Sequence, residues 1–431
     1  MSYYFEYILE TFDRLYERPE GIRIGYSKQA DIQLVQHSEA FFQSKKAQPE
    51  TLIWKVWEGT RIPFLFADDD SEPIISSTEG GLRINYDLIG NAFFFLSGWQ
   101  EFYSDERDSH GRYPYSESLQ HHHNFTSLPV VNYYFDILKT ALEELHGAEL
   151  PRKLWPNSPL AVFLSHDIDK IKSGWLEEAF TALKQGRILP GLKYAATKVS
   201  GKDPWDNVLE ILQLEKELGV SSTWFFIPEQ GNGNADYPLR QIEPFAEPIL
   251  NQKGELALHG SLYSAASGKK LLQEKEMFPR SITGNRFHYL KFEPKKFTEV
   301  LEKSKLDYDS SLGFAEHVGF RNGFCFPFQP YHISQKKPAD FFEFPLMVMD
   351  ATLRQKNYMG DHPERMKEVN KVIKEVKKFS GMLSILWHNN YFSECKYAGW
   401  GEMYINLVKS LQKEGVQFFT GQQMMELLNE S

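Results

Sequence analysis

The pattern of apolar and polar positions divides the chain into two parts. Apolar residues at every third or fourth position over residues 131–145 predict an amphipathic helix, which Gly147 ends. Prolines follow at positions 151, 156 and 159, and prolines this dense block both a helix and a central strand. We therefore expect a boundary at residues 148–159, between an amino-terminal α/β domain over residues 1–150 and a second domain over residues 158–431.

After this boundary, short apolar runs alternate with segments of helix length, which is typical of parallel β/α units. The predicted strands span residues 161–165, 222–227, 255–259, 342–349, 382–387 and 416–419. The predicted helices span residues 205–218, 294–304, 363–379 and 403–413. Polar residues stand where several apolar runs end. This favours a β/α barrel over a doubly wound sheet, because barrels place their chemistry at the carboxyl ends of the strands.

Composition and charge narrow the class of protein and its partners. The 431 residues are 42% hydrophobic and 25% charged, as in an ordinary globular protein. The net charge of −10 has the wrong sign for binding nucleic acid or anionic lipid surfaces. Two cysteines cannot form a disulfide framework in this chain, and its first residues are acidic where a signal peptide is basic and apolar. We expect a cytoplasmic protein without membrane insertion.

The strongest chemical signal is an apolar run that ends in acidic residues. Residues two apart in an extended segment project to the same side, so Asp167 and Asp169 can approach one point. Burying two carboxylates is costly unless a metal ion or a cationic partner compensates their charge. The pair is consistent with a metal ligand beside a base, and equally with a salt-bridged strand end.

Two histidines stand at the ends of other predicted strands. His259 is followed by a glycine and two hydroxyl groups, and neutral imidazole is the commonest metal ligand among side chains. The alternative interpretation is that His259 is a core residue whose ring nitrogens form hydrogen bonds within the protein. His388 follows a mostly apolar run, and its position suits acid/base chemistry.

The order of these motifs resembles that of the polysaccharide deacetylase superfamily over roughly residues 158–430. The resemblance implies that Asp167 is the base and Asp169 a metal ligand. It also implies that Arg286, in Gly-Asn-Arg-Phe-His-Tyr, orients the base, and that His388, in Leu-Trp-His, is the general acid. Asp309, in Tyr-Asp-Ser-Ser, is similar to the family's later acid motif, and we expect it to hold His388 in the useful tautomer.

The second metal motif departs from the family pattern. Deacetylases carry two histidines four residues apart, whereas Tyr263 stands four residues after His259. Tyr263 or Ser264 would be a weak neutral ligand for zinc, which prefers imidazole, thiolate or carboxylate. We expect His288 to complete a triad with Asp169 and His259. If it does not, the metal is weakly bound or absent.

The resemblance implies a metal-dependent hydrolase that removes an N-acetyl group from a small sugar or glycan precursor, with one divalent ion, zinc by preference. The alternatives are a metal-free hydrolase of another C–N bond and a catalytically attenuated barrel that binds a sugar or nucleotide sugar. The segment around Arg321 resembles deacetylase-like proteins with an extra amino-terminal domain, and the oligomeric state stays open. The residues expected to bind substrate are Tyr263, Ser264, Arg321, Trp387 and Asn389.

Overall fold

The structure is a computed structural model that describes residues 3–67, 69–355, 358 and 361–430. The remaining positions of the two predicted domains lie outside the described residues. Two α/β regions, residues 3–147 and 161–430, share one continuous hydrophobic core. None of the helices described is long and apolar enough to cross a bilayer.

The amino-terminal region combines a small sheet with helices that cover it. Its helices are α1 (Phe5–Asp13), α2 (Glu39–Ser44), α3 (Leu88–Leu96), α4 (Trp99–Tyr103), α5 (Leu119–His122) and α6 (Val130–His146). Its strands are β1 (Ile24–Gly25), β2 (Ile32–Leu34), β3 (Ile53–Trp57), β4 (Thr60–Phe64), β5 (Ile75–Thr78) and β6 (Gly81–Ile84). The sheet runs β1-β2-β6-β5, with only the β5–β6 pair antiparallel, and β3 and β4 form a hairpin. Gly147, at a φ of 75°, ends α6 as the sequence predicts.

The second region contains eleven strands and ten helices among the described residues. The strands are β7 (Ala161–Ile168), β8 (Thr223–Phe226), β9 (Glu255–Gly260), β10 (Gly284–Phe287), β11 (Tyr308–Asp309), β12 (Tyr331–His332), β13 (Lys337–Pro338), β14 (Phe342–Glu343), β15 (Val348–Met349), β16 (Met382–Leu386) and β17 (Gln417–Phe419). The helices are α7 (Gly174–Lys184), α8 (Ile188–Ser200), α9 (Val208–Leu218), α10 (Glu243–Asn251), α11 (Gly268–Glu276), α12 (Phe297–Ser304), α13 (Asp350–Leu353), α14 (His362–Phe379), α15 (Trp400–Lys413) and α16 (Gly421–Glu430).

Nine of these strands form one parallel sheet that curls on itself. Its order is β14-β11-β10-β9-β8-β7-β16-β15, and β17 pairs with the first half of β7. Although β14 and β15 lie at opposite edges, only residues 344–347 separate them along the chain, a span of less than about 20 Å. The rings of Phe163 on β7 and Tyr308 on β11 also meet, with centroids 6.2 Å apart. The predicted fold class, a distorted β/α barrel with a smaller α/β region before it, is confirmed.

The burial of β7 explains its sequence. All eight of its residues are buried, because β8, β16 and β17 flank it and helices cover the sheet. The strand runs three residues further than the pattern predicts and carries Asp167 into the barrel. In a parallel sheet the carboxyl ends of all strands reach the same rim, so the residues that follow β7, β9, β10 and β16 gather there.

Candidate active site

Four strand ends bring six of the predicted residues to one rim of the barrel. These residues are Asp167 and Asp169 from β7, His259 from β9, Arg286 and His288 from β10, and His388 after β16. A cleft of about 400 Å³ opens at this rim. Its volume lies within the range of about 300–1,000 Å³ that is usual for small-molecule sites.

Asp169, His259 and His288 form a cluster of metal-binding dimensions. Asp169 Oδ1 lies 3.3 Å from His259 Nε2 and 3.5 Å from His288 Nδ1, and the two nitrogens are 3.2 Å apart. Ligands about 2.0–2.1 Å from a zinc ion stand about 3.3–3.4 Å apart in a tetrahedron. Asp169 Oδ1 is buried and accepts no hydrogen bond from the described residues. The donor set and its spacing therefore fit a divalent ion.

The other ring nitrogen of each histidine is fixed by a backbone carbonyl. His259 Nδ1 donates to Arg286 O over 2.7 Å, and His288 Nε2 donates to Gly233 O over 3.0 Å. In the neutral imidazole, each bond selects the tautomer that leaves the facing nitrogen unprotonated, as a metal ligand requires. Burial also lowers the pKa of His288 to about 4, which keeps this imidazole neutral.

A buried arginine holds Asp167 beside this cluster. Arg286 Nη1 donates to Asp167 Oδ1 over 2.8 Å and to Ser165 Oγ over 3.0 Å, and Ser310 fixes the rest of the guanidinium. Asp167 Oδ2 stays 3.5 Å from His259 Nε2. Burial raises the pKa of Asp167, but in the metal-free protein Arg286 and a protonated His259, whose own pKa the two aspartates raise, outweigh it and the net pKa is lowered. Asp167 is therefore an ionised carboxylate with one oxygen directed at the cluster.

His388 is held by Asp350 and not, as the sequence predicts, by Asp309. His388 Nδ1 donates to Asp350 Oδ1 over 2.7 Å, and its Nε2 lies 3.8 Å from Asp169 Oδ2. Burial opposes the imidazolium form, but the Asp350 carboxylate outweighs it and the pKa of His388 rises to about 10. His388 therefore carries a proton at neutral pH.

The expected role of Asp309 is wrong because β11 lies too far from β16 in the sheet. Its carboxylate accepts hydrogen bonds from the Asn285 side chain over 2.6 Å and from Ser311 N over 2.8 Å. Burial raises the pKa of Asp309 and, more strongly, that of the neighbouring Glu343. Asp309 belongs to a polar network inside the barrel.

Arg321 does not bind substrate either. Its guanidinium forms a buried, two-pronged ion pair with Glu101 of α4 and donates a third bond to Gly313 O. Every one of these groups lies between the two α/β regions, outside the cleft. The residue therefore joins the amino-terminal region to the barrel.

The other predicted substrate residues also miss the cleft. The Trp387 ring is fully buried and packs near Trp400 and Tyr404, so no sugar ring can stack on it. Asn389 is buried, and its amide donates to Lys170 O and Trp205 O. Tyr263 is half exposed and Ser264 is buried, and neither lines the cleft.

The site includes residues that the sequence motifs did not indicate, some behind the cleft and some in its lining. Asp350 directly follows β15, so its position at a strand end was the available signal. Tyr391 and Tyr397 line one side and stack on each other with centroids 4.1 Å apart. No sequence motif marks Tyr397, whereas the position of Tyr391 just after the His388 motif was an available signal.

A loop of the amino-terminal region completes the rim. Arg112 Nη1 donates to Tyr289 O over 3.0 Å, and the His110 ring stacks on the Tyr289 ring with centroids 5.2 Å apart. Tyr289 follows the metal-ligand candidate His288 and has a φ of 60°, a left-handed conformation that is strained for a bulky residue. The loop therefore supports the turn that carries His288.

Comparison with known proteins shows similarity to parts of the chain only. Residues 2–147 match a family of unknown function, DUF7033. No curated protein matches the chain.

Several solved structures are similar to the chain at low identity, and three of them illustrate the similarity. The Puue allantoinase is 14% identical, with a TM-score of 0.45, over 66% of this chain and 96% of that one. A probable polysaccharide deacetylase from Pseudomonas aeruginosa PAO1 is 13% identical, with a TM-score of 0.45 and the same coverage. A CE4-family pseudoenzyme from Bacillus anthracis is 10% identical, with a TM-score of 0.30, over 63% of this chain and 66% of that one. The geometry of the site, rather than these similarities, is the basis for assigning chemistry.

Proposed function

We propose that the chain is a metal-dependent amidohydrolase that removes an N-acetyl group from a sugar or glycan precursor. The observation that carries the proposal is the three-atom cluster of Asp169, His259 and His288, with an arginine-held carboxylate on one side and a protonated histidine on the other. Two imidazoles and one carboxylate are a usual catalytic zinc set, which leaves a coordination position open. A bound ion supplies Lewis acidity, which polarises an amide carbonyl and makes water easier to deprotonate.

The side chains around the cluster suit the two proton transfers of amide hydrolysis. Asp167 Oδ2 takes a proton from the attacking water, because Arg286 binds the other oxygen and keeps the carboxylate ionised. Water adds to the carbonyl carbon, the C–N bond breaks, and acetate and a free amine result. His388 gives the amine nitrogen its proton from Nε2, while Asp350 holds Nδ1.

The aromatic and polar lining of the cleft supports a sugar substrate. Tyr289, Tyr391 and Tyr397 present rings at its walls, and Lys170 and Asn390 add polar groups. Sugar rings have apolar faces that pack on aromatic rings and hydroxyl edges that need hydrogen bonds. A single N-acetylated sugar unit is the substrate class that this lining fits.

Metal content and amine release test the proposal together. We expect wild-type protein to bind close to one zinc ion and to release amine from N-acetylated sugars. Asp169→Ala and His259→Ala should lose the ion, whereas His146→Ala, which removes an exposed histidine at the end of α6, should keep it. Asp167→Asn and His388→Gln should keep the ion and lose about 10²–10⁴-fold in turnover.

Other outcomes point to the alternatives. Amine release that survives metal removal indicates a metal-free hydrolase of a C–N bond. Saturable sugar binding without amine release indicates a binding protein with an attenuated site. The proposal is overturned if the protein binds no zinc up to about millimolar concentration and also releases no amine.

A further inference from the structure

The hairpin of α7 and α8 exposes an unusual number of large apolar side chains. Fifteen such side chains are exposed among the described residues, and seven of them lie on these two helices. The seven are Leu176, Phe180, Leu183, Ile188, Leu189, Leu192 and Val199. Leu189 is 79% exposed and Val199 is 90% exposed, so the protein itself covers almost nothing of them. A patch of this kind marks a contact surface.

The apolar residues follow helical spacing, so they form stripes. On α7, Leu176, Phe180 and Leu183 are four and three positions apart, which places them on one face. The remaining faces of α7 bury Glu178, Ala179 and Ala182. The apolar face of α7 is therefore directed away from the core.

The second helix lies on the first and contributes little to the core. A Cβ at Gly191 of α8 would stand 2.8 Å from the Leu183 side chain, so glycine permits the close approach of the two helices. Gly191 is the only residue of α8 that is buried, within the part of the helix whose side chains are described. Packing in the monomer therefore does not explain why α8 carries Ile188, Leu189, Leu192 and Val199.

Charge identifies the partner. Residues 184–202 contain five basic residues and no acidic one, although the whole chain has a net charge of −10. The five are Lys184, Arg187, Lys193, Lys198 and Lys202. An apolar stripe with lysines and arginines around it is the pattern of a helix that lies in the interface of a bilayer with anionic lipids. The net charge of the chain, which disfavours such lipids, does not describe this segment.

A second copy of the chain is a poorer partner for the same surface. A two-fold dimer would place the hairpin against itself, because both subunits use the same patch. The lysines of the two copies would then face each other, and like charges across an interface are unfavourable. An anionic lipid surface satisfies both the apolar and the basic residues.

We propose that the α7–α8 hairpin docks on the surface of an anionic lipid bilayer. The apolar side chains enter the boundary between headgroups and acyl chains, and the basic side chains contact lipid phosphates and carboxylates. None of the described helices is long and apolar enough to cross the bilayer. The proposed docking is peripheral, and it weakens as salt screens the charges. This membrane docking is a function separate from the proposed hydrolase activity, and it does not depend on the metal site.

Vesicle co-sedimentation of the full chain tests the proposal. We expect wild-type protein to sediment with vesicles of 30% phosphatidylserine in phosphatidylcholine at least about tenfold more strongly than with phosphatidylcholine alone. Leu189→Ser/Leu192→Ser and Lys193→Glu/Lys198→Glu should each reduce that binding about tenfold or more. All four residues are exposed, so both variants are expected to fold, which circular dichroism checks.

Matched controls separate the hairpin from general surface effects. Val56→Ser removes another exposed apolar side chain, and Lys409→Glu reverses another exposed charge, and both should bind vesicles as wild type does. Absence of wild-type binding, or equal binding by the hairpin variants, would overturn the proposal. A concentration-dependent dimer that Leu189→Ser/Leu192→Ser abolishes, without vesicle binding by wild type, would assign the patch to a second copy instead.

Discussion

The buried ion pair between Arg321 and Glu101 offers a sharp test of what Arg321 does. Arg321 Nε and Nη2 donate to the two Glu101 oxygens over 2.7 and 2.6 Å, and the two side chains are 3% and 6% exposed. The guanidinium also lies 4.9 Å from the ring centroid of Phe292. We consider Arg321→Met, which keeps much of the side-chain volume and removes the charge.

The expected loss of stability is large because the substitution leaves a buried carboxylate without a partner. Removing one member of a buried ion pair costs about 3–5 kcal/mol in the free energy of unfolding. Replacing both members by apolar residues is often close to neutral. Glu101→Leu/Arg321→Met should therefore recover most of the stability that Arg321→Met loses.

Urea unfolding of wild type and the two variants measures these differences, and steady-state kinetics on an N-acetylated sugar measures KM. Lys46→Ala, which removes one partner of an exposed ion pair, serves as the control and should leave the unfolding midpoint nearly unchanged. The reasoning fails if Arg321→Met unfolds at the urea concentration of wild type. It also fails if KM rises while stability does not change, since Arg321 would then act on substrate.

Three further predictions follow from the site. The pKa of His388 in the metal-free protein is about 10, above its unfolded value of about 6.5, so its pairing with Asp350 stabilises the fold fully below pH ~6.5. Thermal unfolding should show this stabilisation disappear as the pH rises through about 10, and Asp350→Asn should remove most of it. Asp350→Asn should also lower kcat by about a hundredfold or more, whereas Asp309→Asn should leave kcat nearly unchanged, by assay of amine release. Arg112→Ala frees the turn at Tyr289 and should weaken zinc affinity about tenfold by titration, an effect on orienting groups of the usual size.

The sequence predicts the parts of the structure that depend on local patterns. The strand that becomes β7 is an uninterrupted apolar run because both faces of the sheet are covered, and its two aspartates follow from their spacing. His288 is expected as the third ligand candidate because it stands near Arg286, and the structure brings it to Asp169 and His259. The apolar run and the aspartate spacing concern residues close together in sequence, and the expectation for His288 depends on the order of the motifs along the chain.

The errors concern the order of strands in the sheet. Asp309 and Asp350 both stand at strand ends, and nothing in their immediate sequence distinguishes them. β15 lies beside β16, which brings Asp350 to His388, whereas β11 lies five positions away in the sheet. A strand of two residues carries too little pattern to reveal its neighbours.

Side-chain direction accounts for the other errors. Trp387 and Asn389 flank His388, so sequence places all three residues at the rim. The structure turns the Trp387 ring towards α15, and the Asn389 amide donates to the backbone carbonyls of Lys170 and Trp205. These contacts join residues far apart in sequence, and periodicity does not encode them.

The central place of β7 in the sheet also bears on how the chain folds during synthesis. β7 begins at residue 161, but β16, which covers one of its edges, and β17, which covers the first half of the other edge, begin only at residues 382 and 417. A ribosome adds more than 200 residues between the strand and these partners, and an uncovered strand edge invites pairing with other chains. The strand that carries Asp167 and leads to Asp169 therefore waits for the last part of the chain. A chain cut before residue 417 therefore leaves an edge of β7 open.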